Sequence, residues 1–385
     1  MTERANTPKL RFPEFNNDWT TNQAKNLFTN VSDKKHDGDL LVLSATQDKG
    51  MVPRQDLDLE IKYDKKNLSN YKRTLPNDFI ISLRSFQGGF ELNTIEGIVS
   101  PAYTVLRGEE ELAQPKFFKQ YFKSIRFIKK LDSMIYGIRD GKSISYKEFS
   151  TFSINYPSIL EQQKIGDFFS KLDRQIELEE QKLAKLEEQK KGYMQKLFSQ
   201  ELRFKDQDGN DYPKWEKKFI KDIFIFENNR RKPITSSLRE KGLYPYYGAT
   251  GIIDYVKDYL FNNEERLLIG EDGAKWGQFE NSSFIANGQY WVNNHAHVVK
   301  SNNHNLYFMN YYLNFKELRT FVTGNAPAKL THANLCNISL EIPCLNEQGK
   351  ISALLKSIDK KINNQINKIV LLKRRKQGLL QKMFV

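Results

Sequence analysis

The 385-residue chain has two cysteines, five histidines and no apolar run near the roughly 20 residues that a membrane span requires. Its first residues, MTERANTPKLRF, lack the apolar stretch of a secretion signal. These absences predict a cytoplasmic protein without a membrane partner. Cys336 and Cys344 are too few for a disulfide framework and stand outside any CxxC spacing that would hold structural zinc, so both read as buried, unreactive thiols. Catalytic signatures are missing too: no Asn-Pro-Pro-aromatic segment suggests a methyltransferase, and no G-x-S-x-G a hydrolase. Gly137 to Ser143, GIRDGKS, is one residue short of a phosphate-binding loop, and the later TGNAPAK carries no such signal. His295 and His297 are spaced to share one side of a strand, but without a neighbouring acidic or cysteine ligand they predict no metal site.

What is present is material for two folded domains, at 39% hydrophobic and 12% aromatic residues. Lys and Arg number 60 against 47 Asp and Glu, a net charge of +13 that favours a polyanion as partner, nucleic acid ahead of anionic membrane.

A repeat organises the chain. SINYPSILEQQKIGDFFSKLDRQI from Ser153 returns as SLEIPCLNEQGKISALLKSIDKKI from Ser339, ungapped to the last residue, with about a third of the positions identical. Pro157 matches Pro343, Glu161 and Gln162 match Glu347 and Gln348, and Asp173 matches Asp359. Weaker echoes precede each copy, and LRFPEFNNDW from Leu10 resembles LRFKDQDGNDYPKW from Leu202. Each unit thus reads as an LRF segment, a variable body, a proline and a helix. The predicted boundaries are a first body over 1–157, a helix over 158–199, a second body over 200–343 and a helix over 344–385.

Each proline is followed by a long stretch free of proline and poor in glycine, which predicts a helix of roughly 38 residues and about 57 Å. Steps of four and three run from Ile165 to Leu197 and from Ile351 to Met383, as coiled-coil seams require. Both seams are interrupted at equivalent places, by Glu179 and Gln365 and by Lys190 and Lys376. Such polar positions fix register. Antiparallel pairing places Glu179 near Lys376 and Lys190 near Gln365, whereas parallel pairing would oppose two lysines. The expected fold class is therefore α+β: two similar mixed α/β bodies separated by two long helices in an antiparallel coiled coil with pseudo-twofold, circular symmetry.

The bodies share the grammar of buried strand, glycine loop, then strand, over Asp78 to Arg107 and Arg266 to Lys300. Polar residues crowd the loops: Arg84, Ser85 and Gln87 in the first, Lys275, Trp276 and Gln278 in the second, with Asn293, Asn294 and His295 as another tip. Arg reads guanine, Asn and Gln read adenine, and Lys holds phosphates. The run Asn229, Arg230, Arg231, Lys232 and the pair Lys72, Arg73 are candidate phosphate contacts.

Two variable bodies, each followed by Pro-x3-Glu-Gln-x2-Ile and a long helix, resemble the specificity subunit of type I restriction-modification systems over the whole chain. PSILEQQKI, PCLNEQGKI, the LRF segments and blocks such as SLRSFQGGF and YWVNNHAHVV carry the resemblance. It implies a non-catalytic subunit whose two target-recognition domains each read half of an asymmetric, two-part site on double-stranded DNA. The helices would set the unread spacer and dock two modification subunits, with restriction subunits in the full complex. S-adenosylmethionine, ATP and magnesium would sit on those partners, and none on this chain. The rival reading is a coiled-coil scaffold with two protein-binding ends. Charge by segment adds a qualification: the second helix, 347–385, holds ten basic residues against two acidic ones, densest at Lys373 to Lys376, while the bodies are near neutral. Base reading must then rest on local clusters.

Overall fold

The computed structural model describes residues 7–46, 50–57, 65–82, 89–134, 144–324 and 328–384. They form two compact units. One runs through Glu180 and resumes at Lys368; the other spans Gln181 to Asn367. Gly137 to Ser143 lie outside the described residues.

The first unit holds strands β1 (Thr20–Gln23), β2 (Phe28–Val31), β3 (Leu43–Thr46), β4 (Gly50–Pro53), β5 (Lys72–Thr74), β6 (Phe79–Ile81), β7 (Phe90–Leu92), β8 (Gly97–Val99), β9 (Thr104–Gly108) and β10 (Ser153–Tyr156). The order β2-β9-β6-β7 makes an antiparallel sheet, with β3–β4, β5–β8 and β1–β10 as separate pairs. The run Phe79-Ile80-Ile81 in β6 is apolar throughout because both faces of the sheet are covered. Phe79 and Ile81 join a phenylalanine-rich core with helices α1 (Pro115–Tyr121), α2 (Ile125–Met134) and α3 (Tyr146–Ser150), while Ile80 faces Leu43, Met51, Val99 and Val105. Local chemistry starts the helices: Gln114 accepts the Phe117 amide ahead of Pro115, and Ser145 with Glu148 closes a capping box.

The second unit repeats the plan with β11 (Glu216–Phe219), β12 (Ile225–Phe226), β13 (Lys241–Gly248), β14 (Gly251–Val256), β15 (Arg266–Gly270), β16 (Ser283–Ala286), β17 (Trp291–Val292), β18 (Ala296–Lys300) and β19 (Ser339–Ile342). Its sheet order, β12-β18-β15-β16, is that of the first, and β11–β19 corresponds to β1–β10. Leu267 and Ile269 of β15 face the helical core while Leu268 faces Phe261, Tyr290 and Val298. The units diverge beyond the sheet, where β13 pairs antiparallel with β14 and parallel with β17.

Long helices α4 (Ile159–Phe198) and α8 (Leu345–Met383) contribute to both units; the shorter α5 (Ile220–Ile223), α6 (Leu306–Phe315) and α7 (His332–Cys336) belong to the second. All twenty expected seam positions are buried or half-buried. In the first unit the helices run antiparallel, with Lys376 Nζ 2.6 Å from Asp173 and Lys368 Nζ 2.5 Å from Glu179. In the second, Lys190 Nζ lies 2.7 Å from Asp359. The expected register therefore needs correction: Glu179 meets Lys368 rather than Lys376, and Lys190 meets Asp359 rather than Gln365, which is itself buried. The reason is a carboxylate beside each seam. Asp173 also accepts from Gln120 Nε2 at 3.0 Å and Asp359 from Tyr311 Oη at 2.5 Å, so α1 and α6 hold in place an anion that a half-buried lysine needs more than a neutral amide.

The remaining repeated motifs meet in space. Arg11 of the first LRF segment grips Glu161 with Nε and Nη2, both at 2.7 Å; Arg203 of the second grips Glu347 at 3.1 and 2.7 Å. The next residue, Gln162 or Gln348, bonds the preceding proline carbonyl and accepts the amide of Gln114 or Asn305, the N-caps of α1 and α6. A Glu-Gln pair thus locks each long helix to its body. At the far helix ends, Phe384 packs on Trp19, Phe117 and Phe169, and its equivalent Phe198 stacks on Tyr312 at 4.7 Å.

Candidate nucleic-acid interface

Three loops of the second unit converge at the C-terminal end of β15. Strand pairing of β15 with β18 brings residues 271–278 beside 293–295, fastened by the Glu271 amide donating to the His295 carbonyl at 2.8 Å. Bridges from Lys329 to Asp272 and to Thr323 add a third loop. Gly270 tolerates no side chain here, since a Cβ would lie 2.3 Å from that of Ala274.

Of the residues expected to touch DNA, Lys275, Gln278, Asn294 and His295 are exposed on this tip. The Lys275, Gln278 and Asn294 side chains make no hydrogen bond or ion pair among the described residues, which leaves them available to a ligand. His295 is held by a contact from Nδ1 to Asp272 Oδ1, and Lys329 Nζ approaches the other carboxylate oxygen at 3.3 Å. Lys329 and Asp272 were not anticipated from sequence; the pairing of β15 with β18 sets Asp272 beside His295, and the bridge to Asp272 brings in Lys329.

Other expected contacts turn inward. Trp276 is buried with Nε1 donating to the Gly270 carbonyl at 3.1 Å, and Asn293 is buried with Oδ1 accepting the His295 amide at 2.8 Å. Both shape the tip and do not face a ligand. Arg230, expected on a phosphate, bonds Glu264 at 2.7 and 2.8 Å and lies 4.1 Å over the Phe261 ring. Arg231 reaches Glu271 at 2.6 Å and the Ala296 carbonyl at 2.9 Å. A guanidinium in a half-buried site takes a carboxylate within reach, so these arginines brace the loops, and only Asn229 and Lys232 of that run stay exposed. Arg230 holds the Glu264 carboxyl down at about 2, with Arg266 contributing. Beneath the tip, buried His297 bonds the Leu330 carbonyl through Nε2 at 2.8 Å and Asn228 Nδ2 through Nδ1 at 3.2 Å. A carbonyl only accepts, so Nε2 carries a proton, and the Asn228 amide nitrogen, its oxygen taken by the Val298 amide, donates to a bare Nδ1. Burial lowers the ring's pKa accordingly, against the nearby Glu271.

In the first unit, Arg84, Ser85 and Gln87 lie outside the described residues. Lys72 is half-buried and donates to the Tyr103 carbonyl at 2.6 Å, while burial and Lys34 lower its pKa. Arg73 pairs with Glu96 at 2.6 Å at the surface. On α8, Lys373 pairs with Glu180 at 2.7 Å and Lys376 with Asp173, so the exposed cations of that run without an ion pair among the described residues are Arg374 and Arg375. The cysteines are half-buried instead of fully buried, and Cys336 Sγ lies 3.5 Å from His332 Nε2. Among the described residues, no three His, Cys, Asp or Glu side chains are grouped to hold a metal, and no helix is long and apolar enough to cross a membrane.

Comparison with known proteins places these features. The family model described as type I restriction modification DNA specificity domain matches twice, over residues 16–188 and 212–371. A putative type I restriction enzyme specificity subunit of Haemophilus influenzae is 42% identical over 148 residues, 37% of this chain and 37% of that protein. The EcoprrI specificity subunit of Escherichia coli is 29% identical over 126 residues, 32% of this chain and 30% of that one. The aligned part thus spans about a third of the length of these curated relatives. The S subunit of a type I restriction-modification system from M. genitalium has a similar fold, with a TM-score of 0.63 and 16% identity over 98% of this chain and 99% of that one. A chain from a structural study of type I R-M complex assembly and conformational transition follows at 0.57 and 17%, over 95% and 97%.

Proposed function

The chain belongs to the type I restriction modification DNA specificity family, and from that premise we propose that it is the sequence-reading, non-catalytic subunit of a type I restriction-modification complex. Each unit reads one half of a two-part, asymmetric site on double-stranded DNA, and the long helices set the unread spacer. Two modification subunits dock on the chain and bring S-adenosylmethionine for methylation of a flipped adenine; restriction subunits add ATP- and magnesium-dependent cleavage. One observation carries this reading: two units share one sheet order and one set of helix locks, yet differ in the loops beyond the sheet. A scaffold kept constant under divergent loops suits two readers of different sequences.

Long-read sequencing of DNA from cells carrying this chain with its modification partner tests the proposal. A single two-part methyladenine motif is expected. Methylation without a motif, or a motif of one part, overturns it.

A further inference from the structure

His295 is the one expected reader on the tip whose ring is both exposed and oriented. Its side chain is 51% exposed, against 15% for Asp272, the residue that holds it. Its amide is fixed by Asn293 Oδ1 and its carbonyl by the Glu271 amide, both at 2.8 Å, and Arg231 ties down the carbonyls on either side, of Asn294 at 3.3 Å and Ala296 at 2.9 Å. Lys329 secures the second oxygen of Asp272. Lys275, Gln278 and Asn294 have no comparable support, and an unsupported side chain gives up more freedom on binding than a held one.

The chemistry of the holder decides what the ring can recognise. A carboxylate only accepts, so the Asp272 contact keeps a proton on Nδ1, and in the neutral tautomer that this selects, Nε2 is a bare acceptor. In the major groove, adenine N6 and cytosine N4 present amino donors, whereas guanine O6 and N7 and thymine O4 present acceptors. We propose that His295 is a specificity-determining residue that accepts, through Nε2, a hydrogen bond from the amino group of an adenine or cytosine in the half-site read by the second unit. Asp272 is its positioning residue. This assignment rests on the DNA-reading function proposed above.

The test compares the methylated motif of wild-type chain with those of His295→Ala and Asp272→Asn, each assembled with the modification subunit. In His295→Ala, one adenine or cytosine position of one half-site relaxes, with methylation of formerly excluded sites rising about ten- to a hundredfold, while the other half-site is unaltered. In Asp272→Asn, the new amide can donate to Nδ1 and move the ring proton to Nε2, so the same position shifts toward guanine or thymine. A merely structural Asp272 would weaken methylation at all sites without that shift. Thermal unfolding of the assembled His295→Ala complex at the wild-type temperature shows that the exposed-site variant is folded. If wild type gives a two-part motif and both variants keep every position of it, the assignment to His295 falls and the function stands. If wild type gives no two-part motif, both fall.

Discussion

Arg203 and Glu347 stand 144 residues apart in sequence, and a guanidinium nitrogen lies 2.7 Å from the carboxylate, which is 0% exposed. Trp215 Nε1 donates to the same oxygen at 3.2 Å. Arg11 and Glu161 make the equivalent contact in the other unit. Replacing Arg203 by Ala strands a buried carboxylate, at a cost of about 3 kcal/mol, the low end for a broken buried pair because the arginine is itself partly exposed. Hydrogen exchange should quicken at the start of α8 and leave the first unit's protection unchanged. Equal loosening of both units would contradict this pairing.

The ion pairs of the helix seams predict a charge-swap rescue. Lys376→Glu places two carboxylates together beside Asp173 and lowers stability by roughly 2 to 3 kcal/mol; adding Asp173→Lys restores most of it. Denaturant unfolding of the single and double variants measures the coupling. If Lys376→Glu were instead rescued by Glu179→Lys, the register described above would be wrong.

His297 gives the second unit a pH dependence of definite sign. An unfolded histidine takes up its proton near pH 6.5, whereas burial makes the folded ring do so only at lower pH. Between those values the unfolded state binds more protons, so stability falls as pH drops below about 6.5. Exchange at the amides of β15 and β18 should accelerate from pH 7.5 to 5.5 beyond the intrinsic rate change, and His297→Gln should abolish that excess. Rising protection at low pH would refute it.

Arg374 and Arg375 are the cations of the basic run on α8 that are exposed and make no ion pair among the described residues. If they neutralise two phosphates, replacing both by Ala lowers the salt slope of DNA binding by the assembled complex by about two. Replacing Lys373 and Lys376 should weaken the helix pairing instead, because Glu180 and Asp173 already occupy them. An unchanged slope on the Arg374 and Arg375 variant would mark them as solvated side chains.

The duplication, the two long helices and all twenty seam positions were legible in the sequence because they are local or periodic. An apolar step of three and four reports which side of a helix is covered, whatever covers it. The polar loops were legible as well, and Lys275, Gln278, Asn294 and His295 are exposed on one tip. What covers a seam lysine, or occupies an arginine, depends on groups brought from elsewhere. Arg230 and Arg231 looked like phosphate contacts until sheet order placed Glu264 and Glu271 against them. Lys329 joined the tip only through its bridge to Asp272. The Asp173 and Asp359 carboxylates set the helix register because α1 and α6 hold them in place. Sequence by itself determined the repeated plan and its apolar faces, since burial follows from spacing along one element. Tertiary structure alone decided which charges are spent inside the units and which remain exposed, because a charge finds its partner by distance in space.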